Sequence, residues 1–408
     1  MDQISFPIGL WSAPPPDLAR YQEMADCGFT VVPVVVKSPQ QGRLVLDLAQ
    51  QVGIQVAIAD PRIHRDLPNQ PDWQEVVQTV IDDYADHAAL WGYLLTDEPH
   101  LRHFENLAQL TRAFQSRDPA RVPLINLFPN YASPDQLGTV EYERHVQAFV
   151  ETVQPPILSY DHYALMEWGD RPEYFANLAI IRRQALRADL PFWNVILSTP
   201  HFDYRDPSPA DLRWQVYTTL AYGGQGIVYF TYCTPDEDNY RNGIIDLYGQ
   251  RTPKYDVVRR LNLEMQHLGP HLQRLTSSGV YHWPDAPQGA ISLPGDGLVT
   301  SIEGGEFVLG EFVDDEGLPW LMVVNRDREH AAWTTLRLRT QHSVISEISP
   351  KSGQLRSVSR DQGARAEHVY ADGMVVNFWL APAGARLLRL GTGSEDRDRE
   401  LQGEVREA

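Results

Sequence analysis

An apolar, strand-like run followed by a helix-patterned segment recurs eight times between Ser5 and Leu268, and this alternation constrains the fold more than any other feature of the chain. The runs are Ser5 to Trp11, Phe29 to Val36, Ile54 to Ala59, Leu90 to Thr96, Val122 to Leu127, Pro156 to Tyr160, Pro191 to Leu197 and Gly226 to Tyr232. Helical spacing follows over Asp17 to Gly28, Leu44 to Val52, Trp73 to Ala89, His103 to Ser116, Tyr142 to Val153, Tyr174 to Ala188, Pro209 to Tyr222 and Lys254 to Leu268. Such alternation implies a parallel sheet whose right-handed crossovers let it close. Eight units in about 270 residues match a (β/α)₈ TIM barrel. The competing open dinucleotide-binding sheet would carry a GxGxxG after its first strand, and none is present.

After Gly269-Pro270 the pattern changes to short strand-like runs, among them Val280 to Trp283, Phe307 to Leu309, Trp320 to Val324, Thr335 to Leu338, Val344 to Ser346, Val375 to Trp379 and Ala385 to Leu388. Turn signals at Gly289, Gly304-Gly305, Asp314 to Gly317 and Ser352-Gly353 separate them. Short strands at this spacing predict a small antiparallel β-sandwich. The expected organisation is a barrel over residues 1–270, a sandwich over 271–391 and a charged, frayed tail over 392–408.

Composition removes several function classes. The net charge of −19 and the lack of a Lys/Arg block argue against a nucleic-acid partner, which requires basic surface. No run approaches the roughly 18 apolar residues of a membrane span. The start Met1-Asp2-Gln3-Ile4-Ser5 lacks a basic, apolar leader, so cytoplasmic residence is expected. Two distant cysteines, Cys27 and Cys233, outside any CxxC indicate neither a disulfide framework nor a zinc site, and no metal or other cofactor is expected.

The candidates for chemistry are carboxylates at strand ends, where barrel enzymes place their active sites. Asp97-Glu98-Pro99 closes the fourth run. Glu98 suits a general acid if burial and a neighbouring carboxylate raise its pKa. Asp97 either caps the following helix, with Pro99 in its first turn, or shares the site. Adjacent strand residues point to opposite sides, so both face the centre only if the strand ends between them. Asp161, in Tyr160-Asp161-His162-Tyr163 after the sixth run, is the next candidate. A third acidic group, Asp236-Glu237-Asp238, follows the eighth. Trp11, Asn126, Asn130, Tyr131, Trp193, Asn194, His201, Tyr229 and Tyr232 lie at or beyond strand ends, and Trp11, Tyr160, Tyr163, Trp193 and Tyr232 are the expected walls of a sugar site. No GxSxG, P-loop, HExxH or kinase signature occurs. Carboxylates with aromatics point to a carbohydrate substrate and a glycosidic bond.

Two stretches, Gly92-Tyr93-Leu94-Leu95-Thr96-Asp97-Glu98-Pro99 and Leu220-Ala221-Tyr222-Gly223-Gly224-Gln225-Gly226-Ile227-Val228-Tyr229-Phe230, resemble the barrels of clan A glycoside hydrolases, in particular family 42 β-galactosidases. Further on, Leu380 to Leu388 looks like the closing strand of the sandwich that follows many such barrels. The resemblance implies that Glu98 is the acid/base, with Asp97 where the clan has Asn. It also implies a nucleophilic Glu ending the seventh strand, but there Leu197 is followed by Ser198-Thr199-Pro200-His201-Phe202-Asp203. Either Asp161, Asp236 or Glu237 supplies the second carboxylate, or Asp97-Glu98 works as in the substrate-assisted hexosaminidases that the pair resembles. A non-catalytic carbohydrate-binding barrel is the alternative from another class.

Overall fold

The computed structural model describes residues 6–339, 344–358, 364–370 and 373–391, the strand at 364–370 by its backbone alone. The expected tail over 392–408 lies outside the described residues. The chain divides into two compact units, Met1–Pro207 with Gly224–Asn262 and Ser208–Gly223 with Leu263–Ala408.

The first unit holds an eight-stranded parallel sheet of β1 (Ile8–Leu10), β2 (Val31–Val35), β3 (Gln55–Ala59), β4 (Leu90–Asp97), β5 (Val122–Leu127), β6 (Leu158–Asp161), β7 (Phe192–Leu197) and β8 (Gly226–Phe230). Their order is β1-β8-β7-β6-β5-β4-β3-β2. The ring closes between β1 and β2, where Thr30 N–H donates to Ile8 O at 2.9 Å and Ile8 N–H to Thr30 Oγ1 at 2.9 Å. The expected barrel is therefore present.

Helices α1 (Leu18–Asp26), α2 (Pro39–Val52), α3 (Trp73–Tyr84), α4 (Phe104–Arg117), α5 (Pro134–Leu137), α6 (Tyr142–Val153) and α7 (Tyr174–Ala188) follow in chain order. Three helical boundaries depart clearly from expectation. Helix α3 ends at Tyr84 rather than Ala89. Helix α2 begins at Pro39 rather than Leu44, because the Ser38 hydroxyl accepts Gln41 N–H and Pro39 suits the first turn. Helix α9 (Pro253–Leu272) continues through Pro270, where a break was expected; the proline falls in the last turn and removes little of the helical ladder.

Inside the barrel, Val31, Ala57, Trp91, Leu94, Leu124, Ile157, Trp193, Val195 and Val228 form one apolar cluster. Trp91 and Trp193 stack at 5.0 Å between ring centroids and fill its lower layer. Strand β4 is shaped by two bulges. Its pairing passes from Val56–Leu90 to Ala57–Gly92 against β3, and from Leu94–Leu124 to Thr96–Ile125 against β5. At the first, Gly92 approaches its neighbour so closely that a Cβ would lie 2.1 Å from Val122 O.

The second unit contains α8 (Pro209–Ala221), buried over most of its length, and antiparallel strands in two sheets. Strands β9 (Thr276–Trp283), β11 (Phe307–Val313), β12 (Pro319–Asn325), β18 (Ala385–Gly391), β14 (Val344–Ile348) and β15 (Leu355–Ser357) pair in that order; β10 (Val299–Glu303), β13 (Ala332–Leu338), β17 (Gly373–Leu380) and β16 (Ala364–Tyr370) form the other sheet. Leu309, Leu321, Val323 and Leu388 of one sheet meet Leu336, Val376 and Phe378 of the other in a single core. Three strands, β10, β15 and β16, were not anticipated. Among the described residues no helix is long and apolar enough to cross a membrane.

The approach at Gly92 yields a direct test. Gly92→Ala should destabilise the protein by roughly 1–3 kcal/mol, the usual cost of overpacking. An unchanged urea midpoint would show that β4 and β5 are not held at this separation.

Candidate active site

The second bulge of β4 sets the register of the site. It aligns Asp97 with Asn126 of β5, and the strand ends there. Bulges re-aim side chains in this way. Glu98 then takes φ 44°, while its N–H still donates to Asn126 O at 2.9 Å. The left-handed conformation costs a non-glycine residue about 1–2 kcal/mol, and the strand break it makes turns both acids into one cleft. Asp97 does not cap the next helical turn, Leu101–His103; the His100 ring does, accepting Arg102 N–H at 2.9 Å.

Asn126 joins three neighbouring strands. Its Nδ2 donates to Asp97 Oδ1 at 3.1 Å and to Asp161 Oδ1 at 3.0 Å, and its Oδ1 accepts the Ser159 hydroxyl at 2.8 Å. Asp161 and Glu98 hydrogen-bond directly to each other. Burial, then repulsion from Asp97, raises Glu98 to about 7. Asp161 is pushed well above the carboxylate range by burial and then by Glu98 and Asp97. Asp97 has an exposed edge in the cleft, but the protein around it desolvates it and its pKa is also raised. Both shifts favour the protonated form of these carboxyls, and Glu98 is the one whose charge changes near neutrality.

The cleft, of about 410 Å³, is walled by Trp11, Tyr131, Tyr163, His201, Tyr204, Phe230 and Tyr240 around these acids. The His201 ring stacks on Tyr240 at 4.6 Å. Burial lowers the His201 pKa, and the neutral ring donates Nδ1–H to Thr199 O at 2.9 Å, leaving Nε2 as an acceptor. The Arg171 guanidinium lies 4.0 Å from the Tyr131 ring centre, and the Tyr131 and Tyr204 hydroxyls are 3.4 Å apart.

The other expected wall residues lie elsewhere. Trp193 is one layer too deep, stacked on Trp91; Val195, two residues later, reaches the cleft. Tyr160 is on the opposite side of β6 from Ser159 and Asp161, and fully buried. Tyr232 packs edge-on against Phe29 at 5.4 Å, because β8 ends at Phe230 and the chain turns away. His162 sits behind Tyr131, its pKa lowered to about 3 by burial, with Nδ1 3.0 Å from Asn177 Oδ1. Asn130 anchors to Asn177 and Glu173. Asp236 and Glu237 are exposed and outside the cleft wall, although Tyr240 of the same loop lines it. Tyr204, Phe230 and Tyr240 were missed. Phe230 was findable as a strand-end residue with the parity of Val228, whereas the other two lie in loops without periodicity.

At the end of β7, the Ser198 and Thr199 hydroxyls are buried and donate to Thr231 O at 3.0 and 3.1 Å. Lys254, whose pKa is lowered by burial, donates to Ser198 O at 2.8 Å and to Asn242 O at 2.6 Å and pairs with Asp206. Among the described residues no group of three or more His, Cys, Asp or Glu is arranged to hold a metal ion.

The raised carboxyl pKa values carry a stability signature. The folded state holds protons that the unfolded chain releases near pH 4, so stability should fall as pH rises from about 4 through 7. Glu98→Gln should flatten this loss in thermal melts across that range. An identical slope in the variant would show that Glu98 titrates normally.

No family model and no curated protein matches this chain by sequence. Solved structures do match in shape. A β-galactosidase from the psychrophilic Marinomonas ef1 aligns with 65% of this chain at 10% identity and TM-score 0.50; the alignment spans only 60% of that enzyme's length. A protein described as a glycoside hydrolase aligns over 95% of this chain and 93% of its own, at 12% identity and TM-score 0.59. A family 42 β-galactosidase from G. stearothermophilus, solved as a catalytic mutant, covers 95% of this chain and 98% of its own at 8% identity and TM-score 0.56. At these identities the likeness is one of architecture: the chain has the barrel-and-β-domain fold seen in clan A glycoside hydrolases.

Proposed function

We propose that the protein cleaves or transfers a glycosidic bond, with Glu98 delivering a proton to the leaving oxygen. The observation that carries this reading is a carboxyl raised to about 7 in an aromatic-walled cleft. A general acid works best with its pKa near the operating pH, and the raised acid of glycosidases has this character. Ring faces such as Trp11, Tyr163 and Phe230 suit the C–H faces of a pyranose, while the acids and Asn126 suit its hydroxyls. The names of the proteins sharing the fold, β-galactosidase and glycoside hydrolase, point the same way. The setting we envisage is a cytoplasmic protein whose barrel domain ends near residue 270.

Glu98 and Asp161 are in hydrogen-bond contact, closer than the about 5–5.5 Å of a retaining pair or the about 6.5–9.5 Å of an inverting one. They are better suited to act as one proton-sharing unit than to flank a glycosidic bond. Asp97 is then the remaining acid of the cleft wall, and β7 ends in hydroxyls. This combination favours a second reading within the same class: the substrate's own 2-acetamido oxygen attacks the anomeric carbon, Asp97 orients the acetamide N–H, and Glu98 protonates the departing oxygen.

A panel of aryl glycosides, with 2-hydroxy and 2-acetamido sugars in parallel, tests both readings. Glu98→Gln should lower kcat/KM on substrates with poor leaving groups by about 10²–10⁴-fold. The wild-type rate should fall as pH rises through about 7, as Glu98 loses its proton. Asp97→Asn removes a charge that raises Glu98, so that limb should move to lower pH. Turnover confined to 2-acetamido sugars supports the second reading; binding without turnover supports a sugar-binding barrel.

A further inference from the structure

A second pocket, of about 530 Å³, adjoins the acid cleft and shares Trp11 with it. Leu94 of β4, Pro33 to Val35 of β2, Lys37 of the turn that follows, Gln41 and Val45 of α2, and the loop Ser12 to Pro16 line it. Its chemistry differs from that of the cleft. Among the described residues no carboxyl lines it, and side-chain polarity is confined to Ser12, Lys37, Gln41 and the indole N–H of Trp11. A second sugar ring would leave most of its hydroxyls unpaired there, at a cost for each lost hydrogen bond. A flat apolar group would lose nothing and would bury its faces against the ring of Trp11 and the prolines.

The pocket is also preformed. Trp11 O accepts Tyr232 N–H at 2.9 Å, and Ser12 takes φ 58°, turning the chain into Pro14-Pro15-Pro16. Proline has a fixed φ, so this wall has little freedom left to lose when a ligand enters.

We propose that this pocket binds a flat, apolar aglycone, so that the substrate is an aryl glycoside rather than an oligosaccharide. The inference rests on the glycosidase reading for its sugar half only. Ala13 is a partly buried loop residue of the pocket wall that does not line the acid cleft, so Ala13→Trp can fill the pocket without touching the acids. Val35 is 74% exposed on the same wall, so Val35→Glu can place a charge there with little risk to folding.

The test compares methyl and 2-naphthyl glycosides of whichever sugar the panel identifies. Both variants should lower kcat/KM for the naphthyl glycoside by about tenfold or more, the scale for losing a hydrophobic pocket contact, and leave the methyl glycoside unchanged. Equal loss on both substrates would overturn the proposal. Should the wild type turn over neither, the glycosidase reading fails, and calorimetry with free 2-naphthol decides the pocket. Binding to wild type that is lost in both variants supports it; no binding, or binding unaffected by the variants, overturns it.

Discussion

The site depends on one amide. Asn126 spans β4, β5 and β6, donating to Asp97 and Asp161 and accepting from Ser159, and so holds acids from two non-adjacent strands within reach of each other. Three acids in such proximity, Asp161 buried, Glu98 half-buried and Asp97 desolvated by the protein around it, cannot all ionise cheaply, since desolvation and mutual repulsion both favour the neutral form. Asn126 offsets part of that cost, and burial together with Glu98 and Asp97 favours the neutral form of Asp161. Glu98 is left as the group whose charge changes near neutrality, which is the property a proton donor needs.

The backbone cooperates with the amide. An ideal strand would send Asp97 and Glu98 to opposite sides. Two bulges, the close approach at Gly92 and the left-handed Glu98 instead end β4 so that both acids enter the cleft. Such departures from regular geometry cost free energy and persist only where the surroundings enforce them. The end of β7 is built differently. Ser198, Thr199 and Lys254 make a closed polar lock at the end of β7, filling with structural hydrogen bonds the place where the family resemblance puts a nucleophile.

Periodicity made the barrel legible, because its strands are apolar runs and most of its helices amphipathic; α8, buried on nearly every face, is the exception. The candidate acids were legible too, since Asp97, Glu98 and Asp161 sit where runs end, and the structure brings them together with Asn126. The aromatic walls were read less well, for a reason of depth. Trp193 has the inward parity of a cleft residue but belongs to the layer beneath it, and sequence spacing does not say which layer a residue reaches. Tyr232 was misplaced by a strand end drawn two residues too late. Tyr204 and Tyr240 arrive from loops whose course depends on tertiary contacts. In the second unit, β10 reads Val-Thr-Ser-Ile-Glu, too short and polar to stand out before its partner β13 covers it.

The central claim is that Asp161 and Glu98 share protons at neutral pH, and infrared spectroscopy of the carboxyl carbonyl stretch tests it most directly. A protonated carboxyl band should persist at neutral pH, lose intensity in Asp161→Asn while keeping the part that belongs to Glu98, and weaken further as Glu98 titrates near 7. If every carboxyl is ionised above about pH 5, where ordinary Asp and Glu are, the cleft does not hold the proton and the account of Glu98 as a poised acid is wrong.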